Sequence, residues 1–405
     1  LDNTLISLEK VKDAWDRMRE VIHLTPLDYS HTFSRLTGAS LYVKLENMQK
    51  TGSFKIRGAF NKISTLSGKE KSMGVIAASA GNHAQGVAYA ASRLGIKATI
   101  VMPEGSPITK IMASRGYGAQ VILAGKDYDQ SYKRAREIQE STGATYIHGF
   151  DDPYVIMGQG TIGLEILEQL PRADAVVVPA GGGGLLSGIA LVVKALKPEI
   201  KVFGVQSAGA PAIHHYFKTG AKDGLCALGT LADGINVGCP GEITLDLIGK
   251  YVDDMVLVDD EEISRAILML LERTKVVSEG AGAAALAAVL HGRLNIDGLN
   301  TVILVSGGNI DVNILSTIIE RGLAKSGRRL VIRTIIPDMP GSLQKIVSLV
   351  ADQQVNIISI LHDRARLGVP IKKAGVEFVL ETMNWDHIES VLAALKAAGY
   401  EIESI

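Results

Sequence analysis

A lysine, an asparagine, a serine and a run of four glycines stand where this chain could most readily arrange chemistry. Lys55 lies in the run Lys44-Leu45-Glu46-Asn47-Met48-Gln49-Lys50-Thr51-Gly52-Ser53-Phe54-Lys55-Ile56-Arg57-Gly58-Ala59. Ser53 suits a helix N-cap, and Ile56, Ala59, Phe60 and Ile63 then repeat at helical spacing to give one apolar face. Lys55 falls in the first turn, off that face. There the positive end of the helix dipole and the neighbouring Arg57 both disfavour an ammonium, biasing the amine toward its neutral, nucleophilic form. A neutral lysine amine is what Schiff-base chemistry needs. The competing reading is a solvated lysine at a helix start.

Three further loops carry the same kind of signal. Ser79-Ala80-Gly81-Asn82-His83-Ala84-Gln85-Gly86 follows the apolar run Val75 to Ala78. Its small residues let the backbone approach a ligand, and a following helix would aim free N–H groups at a carboxylate. Pro179-Ala180-Gly181-Gly182-Gly183-Gly184-Leu185 lies between an apolar strand and a helix. Four consecutive glycines are entropically costly, so a phosphate cradle of backbone N–H groups is a better reading than a plain turn. It is no Walker A loop, because Ile189 stands where the lysine should be. Ser306-Gly307-Gly308-Asn309 follows Thr301 to Val305, and its serine could bond a cofactor ring.

Gly158-Gln159-Gly160-Thr161-Ile162-Gly163 matches the dinucleotide fingerprint. A polar, Pro-containing turn precedes it where a strand is required, and no ribose-binding acid follows at the required strand end, which argues against nicotinamide binding. The histidines form no metal-ligand pattern; adjacent His214 and His215 read as a helix surface.

The elements needed to position these loops are legible in the pattern. Strands are expected at Leu41 to Glu46, Val75 to Ala78, Ala98 to Met102, Gln120 to Leu123, Ala175 to Pro179, Lys201 to Gln206, Met255 to Asp259 and Thr301 to Val305. Helices such as Tyr128 to Glu140, Leu185 to Leu196 and Ile263 to Thr274 alternate with them. That order implies α/β architecture with mostly parallel sheets, whose ligand sites lie beyond the carboxyl ends of the strands. Near residue 320 the pattern changes. Residues 321–329 read as a linker, and 330–405 as a small β-α-β-β-α-β unit with strands Leu330 to Ile336, Asn356 to Leu361, Gly375 to Leu380 and Tyr400 to Ile405.

At 405 residues and 47% hydrophobic content the chain suits two or three domains. A formal charge of -1 with interspersed signs supports neither nucleic acid nor an anionic membrane as partner, leaving small-molecule chemistry. Two cysteines, Cys226 and Cys239, outside any Cys-x-x-Cys arrangement, fit a reducing compartment. The start Leu1-Asp2-Asn3-Thr4 lacks a basic and apolar leader, and no apolar run reaches membrane-span length, so a soluble cytoplasmic protein is expected.

Taken in order, these loops resemble the fold-type II pyridoxal-phosphate enzymes. Within them the chain looks most like the threonine dehydratases (threonine ammonia-lyases) that carry one C-terminal regulatory domain. The resemblance covers essentially the whole chain and includes Ile22-His23-Leu24-Thr25-Pro26-Leu27. It implies a tryptophan synthase β-like, two-lobed catalytic region over 1–320, with a smaller lobe of about 48–150 inserted in a larger lobe of 1–47 and 151–320. A ferredoxin-like ACT domain would follow at 330–405.

Carried over residue by residue, the resemblance implies that Lys55 holds pyridoxal 5'-phosphate as a Schiff base and later moves the substrate α-proton. Phe54 would pack on the ring, Asn82 would bond its phenolic oxygen, and Ser306 would meet its nitrogen. The amides of Gly181, Gly182, Gly183, Gly184 and Leu185 would take the phosphate. Ser79, Gly81, Asn82 and His83 would hold the substrate carboxylate. A neutral serine at the ring nitrogen suits elimination better than long-lived carbanion chemistry. The β-hydroxyl would then leave with a proton from the cofactor phosphate, and the released enamine would hydrolyse to 2-oxobutanoate and ammonia.

Two positions refine that expectation. Serine racemases of this fold resemble Ser-Ser-Gly-Asn-His at the second loop, the second serine acting on the opposite ring face; here that position is Ala80, so elimination with little racemisation is expected. Leu231-Ala232-Asp233-Gly234 matches a cation-site segment, but Gly229 stands where relatives carry glutamate. A divalent site loses a ligand there. A monovalent cation held by carbonyl oxygens is the weaker option, and a local turn carboxylate the other reading of Asp233.

In the small domain Asp338-Met339-Pro340-Gly341-Ser342 matches the usual ACT ligand turn, where amides at the helix start could take an amino-acid effector's carboxylate. The alternative is a dimerisation module without ligand. Isoleucine inhibition with valine antagonism, a place in isoleucine biosynthesis and a homotetramer are the family-based expectations. A nicotinamide oxidoreductase using the Gly158 loop, a serine racemase/dehydratase of the same fold and a catalytically silent amino-acid sensor are the other readings.

Overall fold

Buried at every position, the short apolar runs at Val75–Ala78 and Ala175–Pro179 are what central parallel strands need, because helices cover both faces of such a sheet. The computed structural model describes residues 6–221 and 229–404, and the chain divides into two compact units, Leu1–Ile310 and Asp311–Ile405. In the first unit, β1 (Leu27–Tyr29) and β2 (Ser40–Leu45) precede a four-strand set, β3 (Val75–Ala78), β4 (Ala98–Met102), β5 (Gln120–Leu123) and β6 (Thr145–Tyr146). The chain then returns to the larger sheet with β7 (Ala175–Pro179), β8 (Lys201–Ser207), β9 (Asp254–Val258) and β10 (Asn300–Val305).

The larger sheet has the order β1-β2-β10-β7-β8-β9, parallel except for the β1–β2 pair, and the smaller is parallel in the order β5-β4-β3-β6. The expected strands are present to within a residue or so, and β1 and β6 are additional. β2, β10 and β7 are adjacent. The Lys55, Ser306 and four-glycine loops, read from positions 250 residues apart, therefore leave neighbouring strand ends.

The Lys55–Ser64 helix shows how the unit is held. Ser53 does not cap it: Phe54 occupies the cap position in right-handed helical conformation with no side-chain cap bond, and Ser53 instead forms an antiparallel bridge with Gly307. Ile56, Ala59, Phe60 and Ile63 are buried as expected, but so are Arg57 and Asn61, so the helix is internal on most of its circumference. Arg57 is fully buried and bidentate to Glu46, through Nε at 2.8 Å and Nη2 at 2.7 Å, and its Nη1 donates to Glu165 at 2.5 Å. Lys44 Nζ donates to the other oxygen of Glu165 at 2.5 Å, to Gln169 at 2.8 Å and to the Thr25 carbonyl at 2.8 Å. Burial alone would push the Glu46 carboxyl up, but the Arg57 guanidinium and Lys44 hold it below its usual range.

The glycine fingerprint at Gly158 lies inside the Pro153–Gln169 helix rather than in a strand-to-helix turn. Its glycines serve helix contact. A Cβ on Gly158 would lie 2.6 Å from the Gly58 Cα, and one on Gly160 would lie 2.9 Å from the Gly188 carbonyl oxygen. The same helix thus carries Thr161, Glu165 and Gln169 into the charged network and lets the Lys55–Ser64 helix pack against it backbone to backbone.

The second unit contains the Val312–Lys325 helix, β11 (Arg329–Pro337), the Ser342–Asp352 helix, β12 (Asn356–Asp363), β13 (Lys373–Glu381), the Trp385–Ala397 helix and β14 (Glu403–Ser404). Its antiparallel sheet has the order β12-β13-β11-β14, around a core that includes Ile332, Ile346, Phe378 and Val391. The polar 321–329 segment holds the end of that first helix and a turn with Gly327 at φ 69°. The last strand is two residues long rather than running from Tyr400. Ile263 to Thr274 is likewise divided, α-helical over Asp260–Met269 and a π turn over Leu270–Thr274.

Glu165→Ala would leave Lys44 and Arg57 buried without their shared carboxylate. Urea denaturation of the full chain should then show the first unit destabilised by about 3 to 5 kcal/mol, and a loss within the range of exposed ion pairs would contradict this account.

Candidate active site

The Lys55 amine emerges at the first residue of its helix, half-buried, and Nζ donates to the Gly149 carbonyl at 2.8 Å while lying 5.2 Å from the Phe54 ring centroid. Two loops clamp the residues before it. Phe54 N–H donates to the Ser306 carbonyl at 3.1 Å and Gly308 N–H to the Gly52 carbonyl at 2.9 Å. On the other side Gly86 admits the Asn82–Arg93 helix so closely that a Cβ there would lie 3.0 Å from the Lys55 carbonyl carbon. Burial pulls the Lys55 amine down to about 8, with Glu279 opposing it. Arg57, expected as a second cation lowering that value, acts differently: Glu46 and Glu165 neutralise it, and desolvation does the work.

Glu279 is a participant the sequence reading missed. It ends the approach to the Gly280–Leu290 helix, and burial pushes its carboxyl up to about 7, against the lowering effect of a 2.5 Å hydrogen bond from Asn82 Nδ2. Nothing in its local sequence marks it, since its partners come from positions about 200 residues earlier.

The second loop places Asn82 and His83 in the first turn of the Asn82–Arg93 helix, with Ser79 Oγ accepting from Gly81 N–H at 3.1 Å. His83 Nε2 lies 2.8 Å from the Ile147 carbonyl, so that nitrogen carries the proton, and Nδ1 is a buried lone pair with no partner. Burial, with Lys55 adding to it, lowers His83 to about 3 and keeps the ring neutral. Ala80 is partly buried and packs against the small lobe's core.

The four-glycine loop fits a bound phosphate on an observation of its own. Among the described residues, no acceptor lies in hydrogen-bonding geometry to the N–H groups of Gly181, Gly182, Gly183, Gly184 or Leu185. Gly183 adopts φ 92° as the cap of the Gly184–Leu196 helix, so neighbouring N–H groups turn with the helix start toward one side. A Cβ on Gly182 would fall 2.3 Å from the Phe150 ring, which explains why no larger residue stands there. Ser306 is buried directly after the end of β10, and its carbonyl accepts from Phe54 N–H.

Other expected sites lie elsewhere. Asp233 is largely exposed, 3.5 Å from Lys110 Nζ, and no group of three or more metal-binding side chains gathers among the described residues. Gly229 has φ 104°. His214 and His215 lie on the Ala212–Thr219 helix. Cys239 is exposed, whereas Cys226 lies outside the described residues. In the second unit Asp338 to Ser342 form the turn after β11: Asp338 accepts from Arg364 Nε at 3.0 Å, Met339 is exposed, and Gly341, with φ 87°, caps the Ser342–Asp352 helix. No described helix is long and apolar enough to cross a membrane.

Comparison with known proteins agrees with this geometry. The sequence profile of the family described as "Pyridoxal-phosphate dependent enzyme" matches residues 18–307, and that of the ACT domain matches 330–400. An L-threonine ammonia-lyase of Thermotoga maritima is 51% identical over 401 residues, covering 99% of this chain and 100% of the relative. The processed form of threonine deaminase isoform 2 from Solanum lycopersicum superposes with a TM-score of 0.74 at 40% identity, over 77% of this chain and 92% of that one. Maize serine racemase gives the same TM-score, 0.74, at 36% identity over 79% and 99%. The fold alone therefore does not separate lyase from racemase.

With Lys55 unmodified, its amine should titrate near pH 8, so labelling by a small acylating reagent should rise as pH passes upward through that value. Glu279→Gln removes the charge that favours the ammonium and should move the midpoint lower. Mass spectrometry of the Lys55 peptide across the pH range reads both, and a midpoint at the ordinary lysine value would contradict the desolvation account.

Proposed function

This chain belongs to the pyridoxal-phosphate dependent enzyme family, and on that premise we propose that it is an L-threonine ammonia-lyase, converting L-threonine to 2-oxobutanoate and ammonia and L-serine to pyruvate and ammonia. One observation carries the reading: a desolvated lysine amine and five unpartnered loop amides leave the ends of one sheet's neighbouring strands, with the neutral side chain of Ser306 just past the end of the strand between them. The near full-length match to the Thermotoga maritima enzyme supports the substrate.

Pyridoxal phosphate, when bound, supplies an aldehyde carbon for amine condensation and a conjugated ring that draws electron density from the substrate α-carbon. The chain's own residues do the rest. Lys55 Nζ is assigned the covalent attachment and then the α-proton, and a value near 8 keeps that amine close to balance between base and acid at working pH. Phe54 would pack beside the ring, Asn82 would donate to its phenolic oxygen, and the amides of Gly181 to Leu185 would hold the phosphate. Ser306, being neutral, would donate its hydroxyl hydrogen to the unprotonated ring nitrogen and leave it uncharged, which favours prompt elimination.

Ser79, Gly81, Asn82 and His83 are assigned the substrate carboxylate. His83 offers its main-chain N–H at a helix start, since its imidazole proton is committed to Ile147 and the ring is neutral. Loss of the α-proton and of the β-hydroxyl, which together leave as water, gives an enamine that becomes an imine, and hydrolysis of that imine takes up one water, whose oxygen becomes the keto oxygen, and frees ammonia. Ala80 provides no acid on the opposite face. That observation favours the lyase over the racemase to which the fold is equally similar.

An amino-acid effector at the Asp338–Ser342 turn, a homotetramer, a cytoplasmic setting and a monovalent cation near Asp233 extend the same proposal. The ACT match supports the first of these, since differential effector binding to two states is what regulation requires.

Keto-acid release should favour L-threonine over L-serine by roughly tenfold or more in kcat/KM, one methyl being worth about that much in a fitted pocket, and should be slight with D-serine. Lys55→Ala should abolish the visible cofactor band and lower turnover by on the order of a thousandfold. Comparable D-serine activity, or a retained band in the variant, would overturn the assignment.

A further inference from the structure

Asn309 closes the loop after β10, and the reading above gives it no role. Its position is nevertheless fully specified. Asn309 Nδ2 lies 2.9 Å from the Thr51 carbonyl oxygen and 2.7 Å from Asn82 Oδ1. A backbone carbonyl can only accept, so the Asn309 carboxamide must turn its NH2 toward Thr51. The second hydrogen of the same NH2 then meets Asn82, and the atom it meets must be the Asn82 oxygen. Asn82 is thereby denied its other orientation: its NH2 faces away from Asn309, one hydrogen going to Glu279 Oε1 at 2.5 Å and the other left over.

We propose that Asn309 is a positioning residue that fixes the polarity of the Asn82 carboxamide, so that Asn82 presents a donor and never an acceptor to the cofactor's phenolate oxygen. This rests on the assignment of Asn82 to that oxygen. Three features support it beyond distance. Thr51 Oγ1 is buried without a partner, so the Thr51 hydroxyl does not compete for either carboxamide. Gly52 leaves the space that Asn309 fills, since a Cβ there would lie 2.5 Å from Asn309 Oδ1. Glu279, an acceptor when ionised, draws the Asn82 NH2 from the far side, so both neighbours select the same orientation. An unfixed amide would present its oxygen to an anionic oxygen in part of the population, which is repulsive at low dielectric.

The test uses the full chain depleted of cofactor and titrated with pyridoxal phosphate, read by the visible band. Asn309→Asp keeps the shape but supplies only acceptors, forcing the Asn82 amide to turn over; Asn309→Ala merely releases it. Affinity is expected to fall in the order wild type, N309A, N309D, with N309D weaker by about tenfold or more, the scale of a hydrogen bond to a charged group. In an Asn82→Ala background, N309D should cause no further loss. A side chain acting only as filler predicts the reverse order, with the isosteric N309D milder than N309A, and that order would overturn the proposal. So would an N309D loss that persists undiminished beside N82A. Should N82A itself bind pyridoxal phosphate as the wild type does, the Asn82 assignment fails and this proposal with it, so the two failures are distinguishable.

Discussion

Four fully buried charges, Lys44, Glu46, Arg57 and Glu165, tie together the elements that place the reactive lysine. β2 supplies Lys44, the turn after it Glu46, the Lys55–Ser64 helix Arg57, and the Pro153–Gln169 helix the shared carboxylate of Glu165. Each ion is desolvated at a cost of several kcal/mol, and only complete pairing and hydrogen bonding offset it. The geometry of such a network has little slack. Because Arg57 is two residues from Lys55, the constraint that satisfies four charges also sets where the amine emerges.

A second consequence is electrostatic. With Arg57 neutralised by two carboxylates, the field at Lys55 comes mainly from desolvation and from Glu279, so the amine is depressed without a neighbouring free cation. The surrounding polar groups are arranged to match: His83 is neutral with one proton committed, the Asn82 amide is held between two partners, and Ser306 carries no charge. Such an arrangement leaves Lys55 an amine whose charge is open to change near neutral pH, amid fixed dipoles.

Much of this was legible in the chain. Strands buried on both faces announced themselves as uninterrupted β-branched runs, and the loops following them were the right places to look, because ligands in parallel α/β sheets meet the carboxyl ends of strands. The four glycines and the Lys55 segment stand out in the sequence because their local cost demands a compensating use. Other features were not legible. Ser53 looked like a cap, but long-range pairing with Gly307 claimed its backbone, and tertiary context overrode local propensity. The glycine fingerprint at Gly158 could be set aside as a nucleotide loop from its missing strand, but that its glycines accommodate two helix crossings could not be read. The short strands β1 and β6 are stabilised by neighbours rather than by their own residues, so no run of their own marks them.

By itself the sequence determined the alternation of strands and helices, the separate C-terminal unit, and which residue types follow the strand ends as candidates for phosphate, aldehyde or ring contact. Those depend on side-chain chemistry and on periodicities of two and 3.6, which are local properties. Only the tertiary structure decided that β10 lies between β2 and β7, that Glu279 reaches Asn82, and that Asn309 fixes which end of Asn82 faces the site. Sheet order and buried hydrogen bonds join residues far apart in the chain, and the desolvation that sets the Lys55 amine exists only once those residues have excluded water.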